Sequence, residues 1–587
     1  MSYAMNKLTL ALTLWLAGSS GLQAQALPEQ VSQLPLKRSH ALGPEQQLWG
    51  AMDGDTQQLH LWRQTPAARS PADAQLVWQG EVTTRVVEDI CFYQSEQNGQ
   101  LSVFLIGGRG GAEQWLLRQD QQWLSTPMVL REFSVPYDAT ACALHENQLL
   151  IAEGDQAIWA YHAEPEADQG RDLMAVKHPF GAIKGELKAL EVLADGRLLA
   201  LEEAPPRLLE YRVTETGYQL TQTYPIDKFE ELQDIRVLAN GKLLVSNEDT
   251  GASTQLSLTK PAQVQPPRAT KAQTAQVAAG LQTTPASRRG DAIDDPAVWV
   301  HPQQPQLSRI VATDKRIGLM VYDMQGQLVQ ELLVGRLNNV DLRGQLAAAS
   351  LRNDNSIQLF DISDDGEFSV AANIATDLNE IYGLCMGYNS ADNTTSVYVN
   401  SKSGRIQHYQ VQPHQQGWRA SLVRTMQVPT QPEGCVVDDQ TQRLFVGEED
   451  HAVWLFDAAA TAGTTGQRII QVDQHPELVD DIEGLAFTYH DGLPLLFVSS
   501  QGNDSYLVFE GQAPWRMLSQ FRIRANVELG IDGASETDGI EVTSLSLGEG
   551  FAEGAFLVQD GRNWQPEAGQ NLKLVPLQEI LQLVTQP

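Results

Sequence analysis

The chain is internally duplicated, and no other feature restricts its fold so strongly. Leu149–Tyr161 (LLIAEGDQAIWAY) returns as Leu444–Phe456 (LFVGEEDHAVWLF) 295 residues later. Leu48–Leu61 (LWGAMDGDTQQLHL) returns as Leu346–Leu359 (LAAASLRNDNSIQL) at an offset of 298. The four cysteines repeat in the same way: Cys91 and Cys142 are 51 residues apart, Cys385 and Cys435 are 50 apart. A recurrence of this kind is the mark of a repeated structural unit. Between the copies, Thr259–Arg289 is rich in Pro, Ala, Gln and Thr and holds no acidic residue, as a linker does. The expected division is an export segment at 1–26, a first domain at 27–260, a linker at 261–277 and a second domain at 278–587.

Within each copy the pattern is short. RIVATD, GLMVYDM, SVYVNS, RLFVGEE, AVWLFD and PLLFVSS are strand-length runs of β-branched and aromatic residues, punctuated by Gly, Asn and Asp. Helical periodicity is confined to the tail at Leu577–Val584. Units of about 50 residues, each closed by an apolar-aromatic strand, predict an all-β chain of propeller blades. A β-sandwich fits that spacing less well.

Charge narrows the function. Lys plus Arg number 41 and Asp plus Glu 73, a net charge of −32. That balance excludes a nucleic-acid binder working by phosphate neutralisation and argues against docking on an anionic membrane. With 42% hydrophobic residues the chain has material for real cores, so its acidity is not that of a disordered segment. Residues 1–277 carry 22 basic and 33 acidic side chains, and residues 278–587 carry 19 and 40. The second copy is therefore the more acidic one.

The N-terminus reads as an export signal: Lys7, an apolar run from Leu8 to Ala17, and Ala24-Gln25-Ala26 as the cleavage site. No other stretch is long and apolar enough to span a bilayer, and no Cys at the cleavage point offers a lipid anchor. The mature protein is expected to be exported, to periplasm or medium, as a monomer. No C-x-x-C pair supports zinc or dithiol chemistry. Export permits disulfides, so Cys91–Cys142 and Cys385–Cys435 are the expected bridges. Four buried free thiols are the alternative.

The acidic residues of the second copy gather in Gly- and Asn-containing loops. These include Asp291 and Asp294-Asp295 in GDAIDDPAVW, Asn338-Asn339 and Asp341 in LNNVDLR, Glu380, Glu433 in PEGC and Glu448-Glu449-Asp450. Asp480-Asp481 and Glu483 in DDIEG, Asp532 and Asp538 in DGASETDGIE, and Asp560 continue the series. A solvated turn explains any one of these loops. The whole set, repeated once per blade, is better read as an oxygen-rich calcium site. Scattered His and paired Cys leave little for a transition metal. Interleaved cations, Lys315-Arg316, Arg336, Arg343, Arg352 and Lys402, would let such a site receive phosphate.

Here the residues carry a resemblance. DAIDDPAVW and NNVDLR, followed in order by IYG, PEG, GEED, DIEG, SSQGN and TDG, resemble the β-propeller phytases, from about Gln273 to the C-terminus. That family consists of calcium-dependent phosphatases of inositol hexakisphosphate, phytate. The resemblance implies a six-bladed propeller binding several calcium ions at one end of its channel. It implies a 3-phytase-type enzyme that strips phytate stepwise to lower inositol phosphates by metal-activated water attack. The implied metal ligands are Asp294, Asp295, Asn338, Asp341, Glu433, Glu449, Asp481, Glu483, Gln501, Asp532 and Asp538. Lys315, Arg352, Tyr382 and Lys402 match the phosphate contacts at the cleavage site, where Glu433 also acts. Arg316 falls at a neighbouring phosphate site, and Arg336 and Arg343 are further substrate-binding candidates. One departure is Gln282, where the family often has a Glu ligand. Other phosphatase routes lack their strings, with no R-H-G-x-R-x-P, no Cys-x5-Arg and no Walker-type loop.

Aligned on the cysteines, Tyr382 corresponds to Glu88, Lys402 to Gly108, Glu433 to Thr140, Glu449 to Gly154 and Glu483 to Lys188. The unit carrying Asp294, Asp295 and Lys315 has no counterpart in the first copy. The first domain is thus expected to be an incomplete, inactive propeller-like domain, or else to carry a weak activity of its own. Two rival readings of the second domain remain, a non-catalytic calcium- and phosphate-binding propeller and a calcium-dependent lactonase or phosphotriesterase.

Overall fold

The computed structural model describes residues 36–585, apart from 44–45, 54–55, 65–74, 82–85, 168–169, 215–216, 230, 239, 248–249, 251, 264–273, 416, 480 and 566. The export segment and Asp480 lie outside the described residues, as does most of the expected linker. Among the described residues the chain is all-β except for short 3-10 turns and one C-terminal helix, Leu577–Thr585. Strands assemble as antiparallel meanders in chain order, five sheets in the first half and six in the second.

The six sheets of the second half are blades of a closed ring. One apolar cluster lies between each successive pair of blades. A sixth cluster joins the last blade to the first through Ile293, Ile310, Met320, Leu557 and Leu572. Strands near the channel are therefore covered on both faces. Ile293–Trp299 and Leu346–Leu351 are buried at every position, so they read as unbroken apolar runs rather than alternating ones. The outermost strands, such as Gly417–Gln427, alternate toward exposure.

Closure also uses the start of the domain. Ala275–Ala278 pairs in parallel with Phe521–Arg524 of the fifth blade, and Leu281–Gln282 pairs with Lys573–Leu574 of the sixth. Two late blades are thus completed by the first strands of the domain.

The first half has the same construction with one blade fewer. Its five sheets are joined by four clusters, and none among the described residues joins the fifth sheet to the first. The opening sheet corresponds to the second blade of the ring, so the missing blade is the one bearing Asp294, Asp295 and Lys315. Arg197, 1% exposed, ties the end of this half down by donating to the carbonyls of Lys260 and Pro261.

Both bridges are formed. Cys91–Cys142 and Cys385–Cys435 each link the innermost strands of adjacent sheets. Changing Cys385 and Cys435 together to Ser removes a cross-link across a 50-residue separation. Chain entropy puts the loss at up to about 4 kcal/mol. A lower denaturant midpoint for the double variant is expected, and an unchanged midpoint contradicts it.

Candidate active site

In four blades site residues are delivered by a backbone irregularity at the head of the innermost strand, whereas Lys315, Arg352, Lys402 and Glu449 stand in turns after the second strand, and Glu483 and Asp538 lead into innermost strands that pair without a break. The register breaks between Ile293 and Pro296, Leu337 and Val340, Ile381 and Leu384, and Pro432 and Cys435. Asp294-Asp295, Asn338-Asn339, Tyr382-Gly383 and Glu433-Gly434 occupy those bulges, which re-aim side chains that a regular pleat would send into the blade interface. In the last four blades the glycine that follows the site residue permits close approach of the next blade. A Cβ on Gly383 would sit 1.9 Å from the Glu433 carbonyl oxygen, and one on Gly539 would sit 2.2 Å from Asp295 Oδ1. Asn400 ties two adjacent bulges together, accepting from Gly383 N and donating to Glu433 O, each at 2.8 Å.

The result is a carboxylate cluster at one mouth of the channel. Glu433, Glu449 and Glu483 each present an oxygen within 4.8 Å of the others. Asn338 donates to Glu433 Oε1 at 2.8 Å, while Glu433 Oε2 and Asp294 Oδ2 are buried without a hydrogen-bond partner. Lys315 Nζ lies 2.7 Å from Asp538, 2.9 Å from Asp291 and 3.1 Å from Asp294. Gln501 donates to the other oxygen of Asp538 at 2.7 Å. Arg352 donates to Asn338 Oδ1 at 3.0 Å, and it and Lys402 both lie over the Tyr382 ring, Lys402 Nζ at 4.3 Å. Beside the cluster opens a depression lined by Arg288, Asp291, Lys315, Arg316, Arg336 and Arg352. Five cations and one carboxylate make it a receptor for an anion.

Not every expected site residue is at this mouth. Asp295 accepts from Val340 N, and Asp341 accepts from Met386 N, at neighbouring bulges. Arg343 is clamped by Asp341 and Asp439, each at 2.8 Å, so it does not line the depression. Three residues beyond Asn338, with the bulge between them, Asp341 and Arg343 form a separate ion-pair chain. Asp481 influences Glu449, and its carbonyl accepts from Gln501 N at 3.1 Å. Asp532 stands apart, paired with Lys573 at 2.7 Å. Sequence reading missed Arg288, Asp439 and Glu541 as members of these networks. Arg288 adjoins the GDAIDD string and was accessible to a charge count there, whereas Asp439 and Glu541 have no local signal.

Burial dominates the electrostatics. It pushes Glu483 well above the ordinary carboxylate range, with Glu433 adding to the effect. It raises Glu449 to about 7, Asp538 to about 6 and Glu541 to about 8, with neighbouring carboxylates contributing to each. Burial alone would lower the Lys315 ammonium, but Asp294, Asp538 and Glu433 reverse that and keep it charged. Orphaned carboxylate oxygens with no nitrogen or sulphur donor among them fit a hard cation such as calcium, with Glu433, Glu449 and Glu483 as its holders.

The first half keeps the bulges and presents other side chains at them. Register breaks recur at Glu88, Thr140 and Lys188. Glu88 packs over Gly108, where a Cβ would lie 2.5 Å from its Oε1, and Lys188 sits 3.4 Å from Glu203.

A pH dependence follows. Unfolded carboxylates ionise near pH 4, whereas Asp538, Glu449 and Glu541 hold protons to between about 6 and 8 when folded. The folded state therefore binds more protons, and stability falls as pH rises through that window. In chelator, Tm is expected to be higher at pH 6 than at pH 8, and excess calcium should shrink the gap. A chelated protein more stable at pH 8 would contradict this.

The comparisons with known proteins fall on the same region. A family model described as Phytase matches residues 247–586. The 3-phytase of Bacillus subtilis (strain 168) is 35% identical over 327 residues, covering 52% of this chain and 85% of that protein. The matched span takes in all six blades of the ring and every carboxylate at its mouth, and the chain belongs to the phytase family.

Proposed function

We infer that the chain is a calcium-dependent phytase that removes phosphates stepwise from inositol hexakisphosphate, with 278–587 as the catalytic domain. The observation that carries this reading is a cluster of partnerless buried carboxylate oxygens beside a depression lined by five cations. Oxygen ligands for a hard metal and donors for an oxyanion meet there, which is what metal-assisted phosphoester hydrolysis requires.

Glu433, Glu449 and Glu483 would hold calcium, with Asp294, Asp538, Gln501 and Asp481 around them. Calcium bound there would supply an acidified water and the positive charge that lets a polyanion approach. Lys315 stays protonated through its three carboxylates and faces the depression, where it can balance charge developing on the phosphoryl oxygens. Arg352 is fixed by Asn338 and the Tyr382 ring, so its guanidinium is already oriented. Lys402, on the other contact of the same ring, extends the cationic wall. Arg288, Arg316 and Arg336 at the rim suit the additional phosphates of a highly phosphorylated ring. No covalent nucleophile is needed. Export is part of the proposal, and 27–260 is read as a non-catalytic domain.

Phosphate release from phytate with calcium, abolished by chelator, is the expected result. Lys315→Ala should lower kcat/KM by roughly two to three orders of magnitude, while Glu88→Ala leaves it nearly unchanged. Absence of release at neutral pH with calcium overturns the enzyme reading in favour of a binding propeller. Turnover of an aryl lactone instead of phytate would point to a lactonase.

A further inference from the structure

Opposite each of the four bulges of the ring stands one residue of the blade's second strand, in the gap that the register break leaves. These residues are Thr313, Ser350, Asn400 and Gly447. The first three are polar and buried, at 1% exposure or less. They lie two residues before the cations of the turns that follow, Lys315, Arg352 and Lys402. Gly447 has no side chain to offer, and a Cβ there would lie 3.1 Å from the Ile482 carbonyl oxygen.

The polar three bond to the backbone of the bulges. Thr313 Oγ1 accepts from Asp295 N at 3.0 Å. Ser350 Oγ accepts from Asn339 N at 3.2 Å and donates across the interface to the Tyr382 carbonyl. Asn400 Oδ1 accepts from Gly383 N, and its Nδ2 donates to the Glu433 carbonyl of the next blade. Tyr382 O and Gly383 N belong to one peptide unit, so Ser350 and Asn400 grip that unit at both ends from two blades. On it stands the Tyr382 ring, with Arg352 and Lys402 over it. The other arm of Asn400 holds Glu433, whose carboxylate meets those of Glu449 and Glu483. Asn400 is therefore a direct link between the cationic wall and the carboxylate cluster.

The first half separates this role from that of the fold. In the duplicated pattern Ser350 falls on Met52 and Asn400 on Ile106, both 0% exposed. The register break at Glu88 persists opposite Ile106. A bulge thus forms and its blade packs with an apolar residue in that place. The adjacent blades are tied instead by Asp89, which accepts from Cys142 N at 3.0 Å, a bond that bypasses Thr140, the counterpart of Glu433. Burying an amide or hydroxyl is worthwhile only where its hydrogen bonds are made, and in the ring they are made to the peptides that carry the site.

We propose that Asn400 and Ser350 are positioning residues for the site: by fixing the Tyr382–Gly383 peptide they set the spacing between the phosphate-binding wall and the metal-holding carboxylates. Asn400 acts on both sides, and Ser350 acts chiefly on the phosphate side. Neither touches substrate. The identity of the two ions rests on the proposed function.

The test uses the full chain with Asn400→Leu and Ser350→Ala. Calcium is titrated by calorimetry into chelator-stripped protein, inorganic phosphate is titrated into calcium-loaded protein, and melting is followed with and without calcium. Asn400→Leu should weaken calcium roughly ten- to a hundredfold, weaken phosphate with it, and reduce the rise in Tm that calcium brings. Ser350→Ala, which spares the Glu433 carbonyl, should weaken phosphate roughly two- to tenfold and calcium less. Parent-like affinity for both ions in Asn400→Leu overturns the proposal. So does a fall in its Tm that is equal with and without calcium, which would make Asn400 a packing contact. Should Asn400→Leu fail to fold, Ser350→Ala decides, and parent-like phosphate affinity there overturns the proposal. A parent that binds both ions yet releases no phosphate from phytate overturns the phytase reading and leaves these binding comparisons standing.

Discussion

A break in strand register at the head of the innermost strand is the constraint on which the rest of the structure depends. A regular strand would send alternate side chains into the two blade interfaces and leave nothing facing the channel mouth. In the first four blades the extra residues turn a side chain inward, and in the last four a glycine after the site residue lets the next blade close up. Tyr382-Gly383 meets Glu433, Glu433-Gly434 meets Glu483, Glu483-Gly484 meets Asp538, and Asp538-Gly539 meets Asp295. The cluster at the mouth is therefore a property of the ring, since each residue is held by the blade beside it.

This explains what could be read in advance. IYG, PEG, DIEG and TDG are each a site side chain and its spacing glycine on one short segment, so the sequence displays the repeat directly. The aligned copies left the unit bearing Asp294, Asp295 and Lys315 without a counterpart in the first half, and the cysteine spacing indicated their partners. What stayed hidden involves contacts between blades. Nothing near Arg343 announces Asp439, and nothing in LNNVDLR tells that Asn338 turns to the mouth while Asp341 joins the Arg343 ion pair. The bulge separates them, and a bulge is a backbone event with no dedicated residue type. Glu166 was equally invisible, because its partner Gly533 lies in the other half.

The two halves show how far the fold can be separated from the chemistry. Bulges persist at Glu88, Thr140 and Lys188, as do the disulfide and the interblade clusters. What changed is the side chain each bulge presents, together with the loss of one blade. Apolar packing between sheets maintains the arc without a carboxylate cluster at the bulges. In the second half the mouth instead presents carboxylates that burial and mutual repulsion make reluctant to ionise.

Ring closure by Ala275–Ala278 has a consequence for the order in which the protein is made. That strand emerges early from the ribosome, but its partner Phe521–Arg524 lies about 245 residues downstream. Leu281–Gln282 waits longer still for Lys573–Leu574. The first half, an arc of sheets joined in chain order, can consolidate as it is synthesised. The second cannot seal until its last blades have left the tunnel. The open arc is then already folded at the head of an unfinished ring, and its Glu164-Pro165-Glu166 turn, which accepts from Trp564 Nε1 and Gly533 N, meets a completed docking surface only once synthesis has ended.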